Sequence, residues 1–107
     1  MRLLVRMAHW KCSPEHWGAD RELFESAAVP IMQGHDGFVQ AMLLGVPETP
    51  ERIAFTVWRD ADAYDRFCRS PDLARITGLF AHMYVDGAPP VPADYEVRAA
   101  GAAGAAD

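Results

Sequence analysis

Cysteine, basic side chains and long apolar runs are all scarce in this chain, and each scarcity excludes something. Two cysteines, Cys12 and Cys68, among 107 residues cannot form a disulfide framework. Both are read as reduced thiols in a cytoplasmic setting. Ten Lys and Arg against fifteen Asp and Glu leave a net charge of −5. The few basic residues are scattered, which argues against nucleic acid or an anionic membrane as partner. No apolar run approaches the roughly 18 residues that span a bilayer. The opening LLV stops at Arg6, too short for a secretory leader. No segment recurs at a solenoid period.

Half of the residues are apolar and 23% are charged, an ordinary globular balance. The chain has room for one core, so a single domain is expected over 1–99. The Ala/Gly tail, 100–107, is expected to be disordered.

Residues 2–12, RLLVRMAHWKC, read as strand one, with Leu3, Val5, Met7 and His9 on one face and Leu4, Arg6, Ala8 and Trp10 on the other. Ser13-Pro14-Glu15 is a helix start. The spacing of Leu23, Phe24, Ala27, Ala28 and Ile31 carries a helix over roughly 14 to 29 or a little beyond, which Pro30 should kink or end and Gly34-His35-Asp36-Gly37 closes. FVQAMLLGV, 38–46, is strand two, PETPE a turn, and RIAFTVW, 52–58, strand three. Asp60 or Asp62 caps a second helix, which Ser70-Pro71-Asp72 interrupts and restarts. A loop, VDGAPPVPAD, leads to a short strand four at 95–99.

Strand, helix, strand, strand, helix, strand is the βαββαβ plan of an α+β, ferredoxin-like domain with a four-stranded antiparallel sheet. Two helices cover one face of such a sheet, yet strands one to three are apolar on both. Each large side chain left in water forgoes about 1.5–3 kcal/mol. A second copy packed sheet against sheet removes that exposure, so a homodimer closed into a barrel is expected.

The stretch AHWKCSPEHW concentrates two histidines, a cysteine and two tryptophans. His9, Cys12 and His16 imitate a zinc spacing. On a strand, however, residues 9 and 12 point to opposite faces, so no metal site is expected. Trp10 and Trp17 read as core or interface anchors, and Cys12 as a small buried hydrophobe. His9 among apolar neighbours is either a structural imidazole bonded to a carbonyl or an acid/base group lining a pocket. His82, beside Phe80 and Met83, is either a helix-end histidine or a second acid/base group. His35, in GHDG, reads as a turn residue.

AFTVW running into RDADAYDRF, with SPDL in mid-helix and GFV opening strand two, resembles the dimeric α+β barrel proteins of the antibiotic biosynthesis monooxygenase type. The resemblance covers about residues 2–99. It implies oxidation of a phenolic, polyketide-type small molecule by dioxygen with no cofactor, in secondary metabolism. It also implies a pocket between sheet and helices that uses a strand-three Trp and, six residues on, a Tyr. Trp58 and Tyr64 fit that spacing. The pocket Asn of the family falls on Ala54, and Arg75 is the nearest match to its helix-two Arg. In the haem-degrading branch the corresponding positions would be Met7, Phe67 and Ile76 or Thr77, which leaves no axial ligand.

A phenol must lose a proton before it can pass an electron to oxygen, which requires a base, donors for the oxyanion and a dry cavity. His9, Tyr64 and His82 are the candidate catalytic groups. Trp58, Met7, Phe67 and Arg75 are the candidate substrate contacts. A polyketide cyclase or dehydratase on the same barrel, and a non-catalytic small-molecule-binding dimer, are the alternative functions.

Overall fold

The computed structural model describes residues 2–104. Four strands, β1 (Leu4–Lys11), β2 (Phe38–Gly45), β3 (Glu51–Trp58) and β4 (Val91–Glu96), form one sheet in the order β2-β3-β1-β4. All neighbours are antiparallel. Helix α1 covers 19–33, with a widened π turn at Phe24–Ala28. The pair α2 (Ala61–Arg69) and α3 (Pro71–Phe80) follows β3. This is the ferredoxin-like α+β architecture expected from the order of elements.

Local chemistry explains where the elements begin and end. The Asp60 carboxylate accepts from the Ala63 N–H at 2.8 Å and caps α2. Ser70 ends α2 and caps α3, accepting from the Asp72 N–H at 3.3 Å, with Pro71 in the first turn. His35, in the turn after α1, reaches Asp72 at 2.8 Å and sets its ring against Phe67 at 5.1 Å. It therefore ties α1 to the start of α3. The guanidinium of Arg52 donates to the buried Asp20 carboxylate at 2.8 Å, joining the β2–β3 hairpin to the start of α1.

Three boundaries differ from those expected. Pro14–His16 forms only one 3-10 turn, and Ser13 makes no side-chain cap. Instead its N–H donates to the Met83 carbonyl at 2.8 Å. Gly18, at φ 95°, breaks the chain before α1 begins at Ala19. Pro30 does not end α1. The π turn directly before it opens the helix where the ring would meet the Ser26 carbonyl, and the helix runs on to Gln33. Strand four runs over Val91–Glu96 rather than 95–99. It includes Pro92, which an edge strand accommodates because one row of its backbone groups is unpaired.

The pairing register decides which face the helices cover. Trp10, Cys12 and Trp58 belong to the core under the helices, with Leu4, Leu43 and Ala54 packed against it. The opposite face carries Val5 and Val57 at its centre, ringed by Met7, Phe55, Met42 and Tyr95. Met42 and Tyr95 are 39% and 52% exposed, and among the described residues no element lies over this face. Residues 97–104 form no helix or strand. The last three residues of the tail expected to be disordered, 105–107, lie outside the described residues.

Candidate functional site

An apolar cavity of about 70 Å³ lies between the covered face of the sheet and the helices. Its floor is Ala8 and Ala54, direct cross-strand partners, with Thr56 beside them. Two alanines facing each other leave space that larger side chains would fill. The roof is α3, where Leu73, Ile76, Thr77 and Phe80 recur at helical spacing. Trp10, Phe24, Phe67 and Tyr84 supply further aromatic walls. Trp10 meets Phe80 and Tyr84 edge-on at 5.8 and 5.3 Å.

Among the described residues no charged side chain lines this space. The one titratable group in its wall, among the described residues, is Tyr84, whose hydroxyl donates to the Thr77 carbonyl at 3.3 Å. Burial pushes its pKa from 10.0 up to about 12. The raised value has a consequence for stability. Below pH 10 both folded and unfolded chains keep this proton. Between pH 10 and about 12 only the unfolded chain ionises, so stability falls as pH rises across that window. Melting temperatures measured from pH 9 to 12 should show that decline, and Tyr84→Phe should flatten it.

Beside the cavity stands a polar cluster. The Tyr64 hydroxyl donates to Asp94 on β4 at 2.5 Å, and Arg6 on β1 donates to the Tyr64 oxygen at 3.3 Å. Arg6 is the cross-strand partner of both Thr56, in the cavity wall, and Asp94. Burial first, and then the Asp94 carboxylate, raise the Tyr64 pKa above the usual phenol range.

Of the seven candidate catalytic and substrate-contact residues, Phe67 lines the cavity, as does Ala54, the position of the family's pocket Asn. Trp58 is fully buried one layer behind it. Its ring stacks on Phe67 at 4.5 Å, and its indole N–H donates to the Thr56 hydroxyl at 3.1 Å. Trp58 therefore acts on the cavity through those two neighbours. Tyr64 does not line the cavity; it belongs to the cluster just described. His9 and Met7 lie on the uncovered face of the sheet, on the far side from the cavity. The apolar cavity lies on the opposite face because Trp10 and Cys12 point under the helices; His9 instead lines an open groove with Lys11, Val85 and Val91. His82, exposed in the turn Ala81–Met83, meets the His16 ring edge-on at 5.0 Å, outside the cavity. The Arg75 side chain is 66% exposed and lies 3.8 Å from Asp72. Among the described residues no three His, Cys, Asp or Glu side chains are placed to hold a metal ion. Nor is any helix long and apolar enough to cross a membrane.

The sequence reading did not single out Thr56, Thr77 or Tyr84 for the cavity, nor Arg6 and Asp94 beside Tyr64. Thr56 shares a strand face with Trp58 and was findable from that alternation. Tyr84 ends the segment read as the second helix and Asp94 ends the segment read as a loop, and neither carries a periodic signal.

The profile of the family described as antibiotic biosynthesis monooxygenase matches residues 3–77. The chain belongs to that family. Among curated proteins, none matches. Among solved structures, this family member is similar to a monooxygenase from the gene ActVA-Orf6 of Streptomyces coelicolor, in complex with nanaomycin D. The TM-score is 0.78 at 16% identity, covering 94% of this chain and 92% of that one. It is also similar to SnoaB, a cofactor-independent oxygenase from Streptomyces nogalater, at TM-score 0.72 and 16% identity, covering 94% and 97%. NE2512 of Nitrosomonas europaea, a protein of unknown function, superposes at TM-score 0.74 and 17% identity, covering 98% of each chain. At these identities the likeness establishes the fold the antibiotic biosynthesis monooxygenase domain adopts here.

Proposed function

We propose that this chain is a cofactor-independent monooxygenase of secondary metabolism that oxidises a small aromatic molecule, working as a cytoplasmic homodimer. The observation that carries the reading is the apolar, aromatic-walled cavity under α3, in a chain of this family. Such a space holds a ring and keeps water from a reactive oxygen intermediate. The chemistry balances without an added reductant. A phenol gives up four electrons and two hydrogens and gains one oxygen atom, becoming a quinone. Dioxygen supplies that atom, and its other atom leaves as water.

Tyr64 is assigned the role of proton donor to the reduced oxygen, aimed by Asp94 and Arg6. Phe67 is a ring wall, and Trp58 positions Phe67 and Thr56. His9, Met7, His82 and Arg75 stand outside the cavity wall, and the reading gives them no step. An oxygen electrode tests it. Adding a phenol to the purified chain should start oxygen uptake that a metal chelator does not change, with a quinone as product. A cyclase would instead turn over equally well under nitrogen.

A non-catalytic binder is the second reading, and one observation favours it: the cavity wall contains no base, since Tyr84 keeps its proton. Tight phenol binding without oxygen uptake would support it.

The uncovered apolar face of the sheet is the proposed dimer interface. Phe55 lies on it, half-buried, between Val57 and Ile53. Phe55→Glu places a charge in that interface, where it has no partner. Sedimentation velocity should show a dimer for the native chain and a folded monomer for the variant. A native chain that sediments as a monomer at micromolar concentration would contradict the dimer.

A further inference from the structure

Resting on the reading of this cavity as the ligand site, we infer that its ligand is a neutral molecule of one aromatic ring. It carries an oxygen acceptor at one end and a hydroxyl at the other. Three observations lead there. The first is size. A volume of about 70 Å³ lies below the roughly 150 Å³ of an apolar cavity that takes up benzene. It lies far below the roughly 300 Å³ at which sites for larger ligands begin. The Met32 side chain, in the α1 wall, is unbranched and can repack to admit one ring. Three fused rings would have to displace the backbone of α3 from the sheet.

The second observation is charge. With no cation in the wall, a carboxylate or phosphate would enter unpaired at a large desolvation cost.

The third is the hydrogen-bonding pattern. The Thr56 oxygen accepts from the Trp58 indole, and its own proton has no acceptor among the described residues. Thr56 is 5% exposed and sits in the wall, so its hydroxyl is free to donate to a ligand oxygen. On the roof the pattern is reversed. Thr77 donates its hydroxyl proton to the Leu73 carbonyl, and Tyr84 donates its own to the Thr77 carbonyl. Their oxygens are left as acceptors for a ligand O–H. The strand-three floor thus supplies its polar group at Thr56, one pleat beyond Ala54, where an apolar methyl leaves space for the ring. A para-substituted phenol with an ether oxygen meets every one of these demands.

Binding measured by calorimetry without oxygen tests the inference. The probes are para-methoxyphenol, its naphthalene analogue methoxynaphthol, tricyclic anthrone, and the anion para-hydroxybenzoate. Para-methoxyphenol should bind, with anthrone and para-hydroxybenzoate each at least ~10-fold weaker. Thr56→Val should weaken para-methoxyphenol by ~5- to 100-fold, and Thr56→Ser should restore it, because Ser keeps the hydroxyl. Ala54→Leu should abolish binding by filling the floor. Phe80→Ala should admit methoxynaphthol. Anthrone or the anion binding as tightly as para-methoxyphenol would overturn the inference, as would failure of all four probes to bind. The test separates this inference from the oxygenase reading. Para-methoxyphenol that binds but consumes no oxygen in air leaves the ligand class standing and removes the oxygenase. Oxygen uptake with anthrone and not with para-methoxyphenol does the reverse.

Discussion

Tyr64→Phe should lower oxygen uptake with a bound phenol by about 100-fold or more, while ligand affinity stays near its native value. The phenol ring of Tyr64 packs against the core, and Phe keeps that packing. What is lost is the hydroxyl held between Asp94 and Arg6. Uptake traces at saturating ligand, paired with anaerobic titrations, separate the two effects. A fall in affinity with unchanged turnover would make Tyr64 a packing residue only. The pH profile carries a second readout. Burial and Asp94 both raise the Tyr64 pKa, so activity should persist through pH 10, where an ordinary phenol ionises. Asp94→Asn removes one of the raising effects, and the alkaline limb should move down in pH.

Trp58→Ala should have the largest effect on stability, about 3–5 kcal/mol. Trp58 is fully buried, stacked on Phe67 and edge-on to Phe38 at 5.5 Å. Removing the indole opens a void behind the cavity and leaves Phe67 unsupported. Trp58→Phe keeps a ring in the stack but deletes the N–H that binds Thr56, and should cost less, about 1–2 kcal/mol. Urea unfolding of both variants checks the order. Equal costs would mean that the hydrogen bond to Thr56, rather than the stack, carries the stabilisation.

How much of this was legible in the sequence depends on the kind of signal. The order of elements was legible because each strand and helix carries its own local chemistry. Asp60 and Ser70 cap their helices as their residue types demand. The prolines misled where tertiary context decides. Pro92 reads as a loop residue, yet it sits in an edge strand whose position becomes evident only once the sheet has assembled. Pro30 reads as a helix end, yet a π turn absorbs it.

The site was less legible for a single physical reason. Alternation along β1 sorts residues into two faces, but both are apolar, so the pattern does not say which face meets the helices. His9 and Met7 fell on the face without the cavity, while Ala8 and Trp10 fell on the face with it. The pair Trp58 and Tyr64 was singled out by its spacing; neither lines the cavity, and Trp58 meets it only through Phe67 and Thr56. Tyr84 joins the cavity only through the return of the chain after α3, which no local pattern announces.

The central claim is that the ligand sits on the helix side of the sheet. Methyl-selective NMR of the anaerobic chain with para-methoxyphenol tests that most directly. The account predicts shifts at Leu43, Leu73, Ile76 and Thr77, which line the cavity, with Met7, Met42 and Ile53 across the sheet unchanged. Shifts confined to Met7, Met42 and Ile53 would contradict it and move the site to the face that carries His9.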